Sequence, residues 1–140
     1  MFVLIVGCGR VGSALAREMV NDGHDVSIID QSPEGFARLG EEFPGTFTEG
    51  PALELTVLKA AGIERADAFV AATDGDNTNL VISQVARERF NIPCVVVRVL
   101  DPYRAKFYGE RGLTTVCPTQ IAIEQMSDAL RACGAALQEA

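Results

Sequence analysis

The sequence has 140 residues, a formal net charge of −7 at pH 7, 48% apolar residues and four cysteines. This length predicts one domain that folds without disulfide or metal support. The acidic balance, with no cluster of lysine and arginine, argues against nucleic acid or anionic lipid as a partner. No apolar run approaches the ~20 residues of a membrane span, and no basic leader precedes the first apolar run. We therefore expect a cytoplasmic chain with no direct membrane insertion.

Apolar runs alternate with amphipathic segments along the whole chain. The runs are continuously apolar, which predicts a parallel sheet covered on both faces by helices. The predicted strands are Phe2 to Gly7, Asp25 to Asp30, Thr46 to Glu49, Ala68 to Ala72, Cys94 to Val99 and Thr115 to Cys117. The predicted helices are Arg10 to Asn21, Pro33 to Glu42, Leu53 to Ala61, Asn77 to Phe90, Tyr103 to Gly109, and a last one from Thr119 to Cys133 or beyond. This alternation predicts an α/β, Rossmann-type doubly wound sheet of order 3-2-1-4-5-6.

A glycine-rich turn follows the first predicted strand as Gly7-Cys8-Gly9-Arg10-Val11-Gly12. In such a turn the first glycine permits a sharp bend, the second lets backbone N–H groups approach a pyrophosphate, and the third lets the next helix pack closely. Asp30 ends the second strand at the usual distance of ~20 residues and can accept hydrogen bonds from ribose hydroxyls. Together these features predict a dinucleotide site, and a tight turn without a ligand is the alternative.

Ligands of doubly wound sheets bind outside the carboxyl ends of the strands. The residues predicted there, besides the glycine-rich turn and Asp30, are Gln31, Gly50, Pro51, Ala52, Thr73, Asp74, Asn77 and Arg98. Arg10 opposes the helix dipole at a cost of about 0.3–1 kcal/mol, which is understandable if it meets phosphate oxygens; a solvated side chain is the alternative. Arg98 closes an apolar strand and needs an anionic partner, either Asp101 or a bound nucleotide.

The sequence offers no catalytic group at the expected ligand edge. A dehydrogenase needs a proton donor near the transferred hydride and a pocket for its substrate. The single histidine, His24, precedes the second strand at the opposite edge, and Tyr103 and Lys106 are spaced three apart rather than four. We therefore predict no catalytic residues. The alternative is the cofactor-binding domain of an NAD-dependent oxidoreductase whose substrate domain is missing or lies on another chain.

The four cysteines are far apart and form no C-x-x-C pair, so neither a metal site nor a disulfide framework is indicated. Cys8 permits two interpretations. It is either a small residue of the phosphate loop or a redox-responsive thiol at a helix N-terminus.

The last predicted helix carries apolar residues spaced three and four apart at Ile123, Met126, Leu130, Cys133 and Leu137. This spacing is typical of a helix that packs along another helix. Two interpretations stay open. The apolar stripe covers the sheet edge of its own domain, or it meets a second subunit and makes the protein a dimer or a larger assembly.

Several further motifs accompany the glycine-rich turn and Asp30. They are Val57-Leu58-Lys59-Ala60-Ala61-Gly62-Ile63, Ala66-Asp67-Ala68, Ala71-Ala72-Thr73, Asp76-Asn77-Thr78-Asn79-Leu80 and Arg98-Val99. With these motifs the chain resembles the TrkA-type N-terminal domain, which is the nucleotide-binding lobe of the RCK family of potassium conductance regulators. The sequence departs from that family at Gly50-Pro51, where Gly-Asp is frequent.

The resemblance implies a nucleotide-binding domain over residues 1–118 and a crossover or assembly helix over residues 119–140. It implies a regulator that binds NAD(H), ADP or ATP and acts on a membrane potassium channel or transporter through dimers or ring assemblies. On the matching positions, Gly7 to Gly12 would hold phosphates, Asp30 the ribose, and Thr73, Asp74 and Arg98 the rest of the ligand. The second lobe usual in that family does not follow in this sequence, so we expect a short subunit or part of a longer chain.

Overall fold

The structure, a computed structural model, describes residues 1–139 and has six parallel strands in one sheet of order β3-β2-β1-β4-β5-β6. The predicted fold class and strand order are confirmed. The strands are β1 (Phe2–Val6), β2 (Asp25–Asp30), β3 (Thr46–Glu49), β4 (Ala68–Ala71), β5 (Cys94–Arg98) and β6 (Thr114–Val116). The helices are α1 (Arg10–Asn21), α2 (Leu55–Ala60), α3 (Asp76–Gln84), α4 (Pro102–Gly109) and α5 (Pro118–Glu139).

The sheet separates two apolar cores because neighbouring side chains along a strand point to opposite faces. On one face, Ile5 and Ile28 pack with Ala16 of α1. The other face has the larger core, in which Phe69 packs with residues of α2, α3 and α4 such as Leu58. The central strands are therefore nearly inaccessible to water, which explains their continuously apolar sequences.

Two predicted α-helices have other local conformations. The segment predicted as a helix to Glu42 is a 3-10 helix over Pro33–Leu39, and it ends at Gly40, whose φ is +84°. The segment predicted as one helix to Phe90 is α3 followed by a π-helical turn over Val85–Arg89. In both cases the apolar periodicity located a helical segment but did not distinguish its hydrogen-bonding pattern. The reason is that α, 3-10 and π helices can all place apolar side chains on one face.

The outer strands β5 and β6 are covered well on one face only. Their register pairs Val96 with Thr114 and Arg98 with Val116 on the face opposite α3 and α4. Val96 is half-buried there, whereas Thr114 and Val116 are exposed. The helical cover predicted for both faces is thus complete over the central strands and incomplete over this pair.

The last helix, α5, begins at Pro118 and continues past the predicted Cys133 to Glu139. None of residues 118–139 is buried, and the apolar residues Met126, Leu130 and Leu137 are about 70% exposed. The interpretation in which this stripe covers its own domain is therefore wrong. Within residues 1–139, no helix has both the length and the apolar content needed to span a membrane.

Candidate functional site

A cavity of about 740 Å³ opens at the carboxyl ends of the strands, where the chain leaves β1 and β4 in opposite directions. This is the switch point at which doubly wound sheets bind their ligands. The predicted site residues that line it are Gly7, Cys8, Gly9, Arg10, Val11, Asp30, Gln31, Gly50, Ala52, Thr73, Asp74 and Arg98. The fold therefore brings most of the predicted site together around one cavity.

The three glycines of the turn have different structural surroundings. Gly7 has a φ of +104°, and a Cβ there would lie 2.5 Å from the Ala72 carbonyl oxygen. A Cβ on Gly12 would lie 1.7 Å from the Gly7 carbonyl oxygen, so the start of α1 packs directly on the turn. A Cβ on Gly9 would meet no protein atom within 4 Å. Packing within the protein accounts for Gly7 and Gly12, whereas Gly9 leaves open space at the cavity surface.

The Asp30 carboxylate is held at the end of β2 by two backbone N–H groups. Cys8 N donates to Oδ2 over 2.7 Å, and Ser32 N donates to Oδ1 over 2.8 Å. Each oxygen of an ionised carboxylate can accept a second hydrogen bond. Asp30 is therefore fixed in position beside the glycine-rich turn and still has acceptor capacity for a ligand.

A buried amide holds together the loops that follow β4 and β5. Asn79 is fully buried, and its Oδ1 accepts hydrogen bonds from the Thr73 backbone N–H and hydroxyl. Its Nδ2 donates to the carbonyl oxygens of Thr73 and Arg98, each over 3.0 Å. In the sequence, Asn79 stood out only as part of the motif Asp76-Asn77-Thr78-Asn79-Leu80. Its bonding shows that it fixes the positions of two cavity-lining residues.

Arg98 lies in the cavity wall with its partners on the β4 side. Its Nη2 donates to the Thr73 carbonyl oxygen over 2.5 Å and to Asp74 Oδ1 over 3.2 Å. Asp101, predicted as a possible partner, instead caps α4 by accepting a hydrogen bond from Tyr103 N. The buried Nε of Arg98 has no hydrogen-bond partner among residues 1–139. A buried donor without a partner is costly.

Cys8 is fully buried under the turn, where its thiol donates to the Gly35 carbonyl oxygen over 3.1 Å. Burial raises the pKa of the Cys8 thiol above its ordinary value, the Asp30 carboxylate adds to this rise, and Arg38 and Arg17 oppose it. Redox-sensing thiols are accessible and have a lowered pKa. The geometry therefore favours the interpretation of Cys8 as a small packed residue of the loop.

Three predicted site residues do not line the cavity. Gly12 packs beneath the turn, Pro51 lies outside the cavity wall, and Asn77 accepts a hydrogen bond from Arg104 Nη2 over 2.7 Å. Their predicted contacts with a ligand stay predictions.

Other cavity-lining residues were not predicted from the sequence, among them Ser32, Glu34, Gly35 and Arg38. These four belong to the segment after β2, where we predicted only a helix from Pro33 to Glu42. The position of this segment directly after Asp30, at the carboxyl edge of the sheet, was the sequence signal that could have identified these residues.

Charge is balanced on the cavity wall, although the whole chain is acidic. The wall has the arginines Arg10, Arg38 and Arg98 and the carboxylates Asp30, Glu34 and Asp74. Arginine guanidinium groups form strong hydrogen bonds with phosphate oxygens, and carboxylates accept them from hydroxyls. The arrangement suits a ligand that has both kinds of group.

Comparison with known proteins gives one consistent family. The profile of the TrkA-N domain matches residues 3–118. The "Trk system potassium uptake protein TrkA" of Streptomyces coelicolor is 43% identical over 135 residues, which are 96% of this chain and 60% of that protein. The chain thus spans three fifths of the length of this relative.

Solved structures agree with the fold. The Kef C-terminal domain of Shewanella denitrificans in its AMP-bound form is 27% identical, with a TM-score of 0.79 over 96% of this chain and 82% of that one. The TrkA-N domain of the inner membrane protein ybaL from Escherichia coli is 22% identical, with a TM-score of 0.80 over 92% of this chain and 96% of that one. Since the family profile spans most of the sequence, the chain belongs to the TrkA-N domain family.

Proposed function

We propose that the chain is the nucleotide-sensing lobe of a potassium uptake regulator and binds NAD(H), ADP or ATP in the cavity at the switch point. The observation that carries this proposal is the open space over Gly9, at the end of β1 and beside the start of α1. There, backbone N–H groups and the positive end of the helix dipole favour phosphate oxygens. The AMP-bound relative at 27% identity supports an adenine nucleotide as the ligand.

The adenosine ribose would lie against Asp30. Its carboxylate has acceptor capacity for both ribose hydroxyls. A phosphate on the 2′ oxygen would bring a second negative charge against Asp30, so we infer that NADP(H) binds more weakly than NAD(H).

The rest of the ligand would extend toward Arg10 and Arg98. Arg10 is exposed at the first turn of α1, where its guanidinium can reach a terminal phosphate. Arg98 lines the cavity, which supports a contact on its β4 side. Thr73 and Asp74 flank this contact.

We infer the role in potassium uptake from the named relatives. The regulator would act on a membrane potassium channel or transporter from the cytoplasmic side and would assemble as a dimer or a larger ring. The exposed apolar stripe of α5 supports assembly. No histidine, lysine or tyrosine is among the residues that line the cavity within residues 1–139, which supports a role in binding rather than catalysis.

Two measurements on the purified chain test this function. Mass spectrometry of the small molecules released on denaturation should detect an adenine nucleotide, and calorimetry should detect its binding. Incubation with NAD and candidate alcohol or hydroxy acid substrates should form no NADH. Reduction of NAD, alone or on addition of a partner chain, would favour the oxidoreductase alternative.

A further inference from the structure

A guanidinium without a charged partner lies on the cavity wall near Asp30. Arg38 belongs to the 3-10 segment Pro33–Leu39 and lines the cavity. Its Nη1 donates to the Cys8 carbonyl oxygen over 3.3 Å, and it forms no ion pair with a carboxylate of residues 1–139. A guanidinium has five N–H donors and two flat faces, so most of its binding capacity is unused.

Two contacts fix the backbone that positions this side chain. Arg17 of α1 donates from Nη1 to the Arg38 carbonyl oxygen over 2.6 Å. Gly35 approaches the glycine-rich turn so closely that a Cβ on it would lie 2.9 Å from the Cys8 carbonyl oxygen and 3.4 Å from Asp30 Cγ. The backbone of the segment is therefore held against both the turn and Asp30, which keeps the root of the Arg38 side chain beside the proposed ribose position.

The position selects the part of a nucleotide that Arg38 can meet. Phosphates belong at the start of α1, and the ribose belongs at Asp30. The negative charge of Asp30 disfavours another phosphate on this side of the ribose. The remaining part of the nucleotide is the base, which is flat and aromatic, and guanidinium groups stack on such faces.

We propose that Arg38 stacks on the adenine base of the bound nucleotide and so contributes to selection of the base. This inference rests on the proposed function, since it requires a nucleotide in the cavity. Gly35 and Arg17 act indirectly, as positioning residues for the segment.

The test compares the wild-type chain with Arg38→Met, which keeps a long apolar side chain and removes the guanidinium. Arg89→Met, an exposed arginine in the π-helical turn, is the matched control. Calorimetry should show AMP binding about threefold to thirtyfold weaker in Arg38→Met and unchanged in Arg89→Met. Arg38→Lys should lie between, because an ammonium keeps the charge without the flat face.

A second ligand separates base contact from phosphate contact. Ribose 5-phosphate lacks the base, so its competition with AMP should give the same affinity in Arg38→Met and in the wild type. Arg10→Met should instead weaken ADP more than AMP. Equal losses of AMP and ribose 5-phosphate in Arg38→Met, or no loss of AMP, would overturn the stacking role. If the wild type bound no adenine nucleotide, the proposed function itself would fail, and this inference with it.

The folding control is the melting temperature without ligand. Arg38 is exposed, so Arg38→Met should melt at the wild-type temperature. A lower melting temperature together with loss of all ligands equally would indicate a structural role and overturn the proposal.

Discussion

Gly9 and Gly12 are three residues apart, but the space available for a side chain differs between the two positions. Gly12 is required by packing, because any side chain there collides with the carbonyl oxygen of Gly7. Gly9 has a negative φ and open space beside it, so the protein alone would accept alanine at this position. No contact within the protein therefore requires glycine at this position, whereas the proposed close approach of a phosphate group would require it.

We expect Gly9→Ala and Gly12→Ala to separate folding from binding. Gly12→Ala should lower the free energy of unfolding by about 1–3 kcal/mol or more, since the backbone must shift to admit the methyl group. Gly9→Ala should change that free energy by less than about 1 kcal/mol and weaken ADP binding by about tenfold or more, because the methyl group occupies the phosphate position. Urea unfolding and calorimetry measure the two effects. A Gly9→Ala chain that binds ADP as the wild type does would place the phosphates elsewhere.

The sequence predicted individual site residues when they belonged to a spaced pattern. Gly7, Gly9 and Asp30 do, and they line the cavity as expected. Arg38 belongs to no such pattern, and the role of Asn79 within its motif was not predicted, because both depend on contacts with residues distant in sequence. The Asn79 bond to the Arg98 carbonyl oxygen joins residues 19 apart, and the Arg38 bond to Cys8 joins residues 30 apart.

Among the elements, α5 has an apolar stripe with no cover within its own domain. The stripe consists of Ile123, Met126, Leu130 and Leu137, which are 50% to 72% exposed. The face of β5 and β6 opposite α4 is also open, and it includes the exposed Val116. A second copy of the chain could cover both surfaces, and full burial of each large apolar side chain contributes about 1.5–3 kcal/mol.

We predict that the isolated chain is a dimer or larger and that Met126→Asp with Leu130→Asp makes it monomeric. Neither side chain is buried in the domain and neither lines the cavity, so the variant should fold and still bind ADP. The matched control is Gln125→Asp with Ala132→Asp, which adds the same two charges on the other side of α5. Light scattering gives the mass of each. A monomeric wild type, or equal dissociation of both variants, would argue against assembly through this stripe.

The order and type of the elements were more predictable than their local conformation. Continuous apolar runs predicted β1, β2, β4 and β5 within one residue at each end, because buried parallel strands require them. The 3-10 character of Pro33–Leu39 was not predictable, since it depends on the close contact of Gly35 with the glycine-rich turn. The exposure of α5 was not predictable either, because a stripe of apolar residues does not specify what covers it.

For the whole molecule, the strand order determines where a ligand can bind. The chain winds outward from β1 in one direction and from β4 in the other, and the cavity opens between these two strands. The alternation of strands and helices in the sequence was sufficient to predict this place. The identity of the ligand was not predictable, because it depends on the few groups that face the cavity. Of these groups, we expect Asp30 to discriminate most clearly between ligands.

The relative affinities for NAD and NADP therefore test the proposed role of Asp30 most directly. The two ligands differ only by a phosphate on the 2′ oxygen, which in the proposed orientation lies against Asp30. Calorimetry on the wild-type chain should show NAD binding at least about tenfold more tightly than NADP, which corresponds to about 1.4 kcal/mol. Equal affinities, or tighter binding of NADP, would contradict the position of the ribose against Asp30 and with it the proposed orientation of the nucleotide.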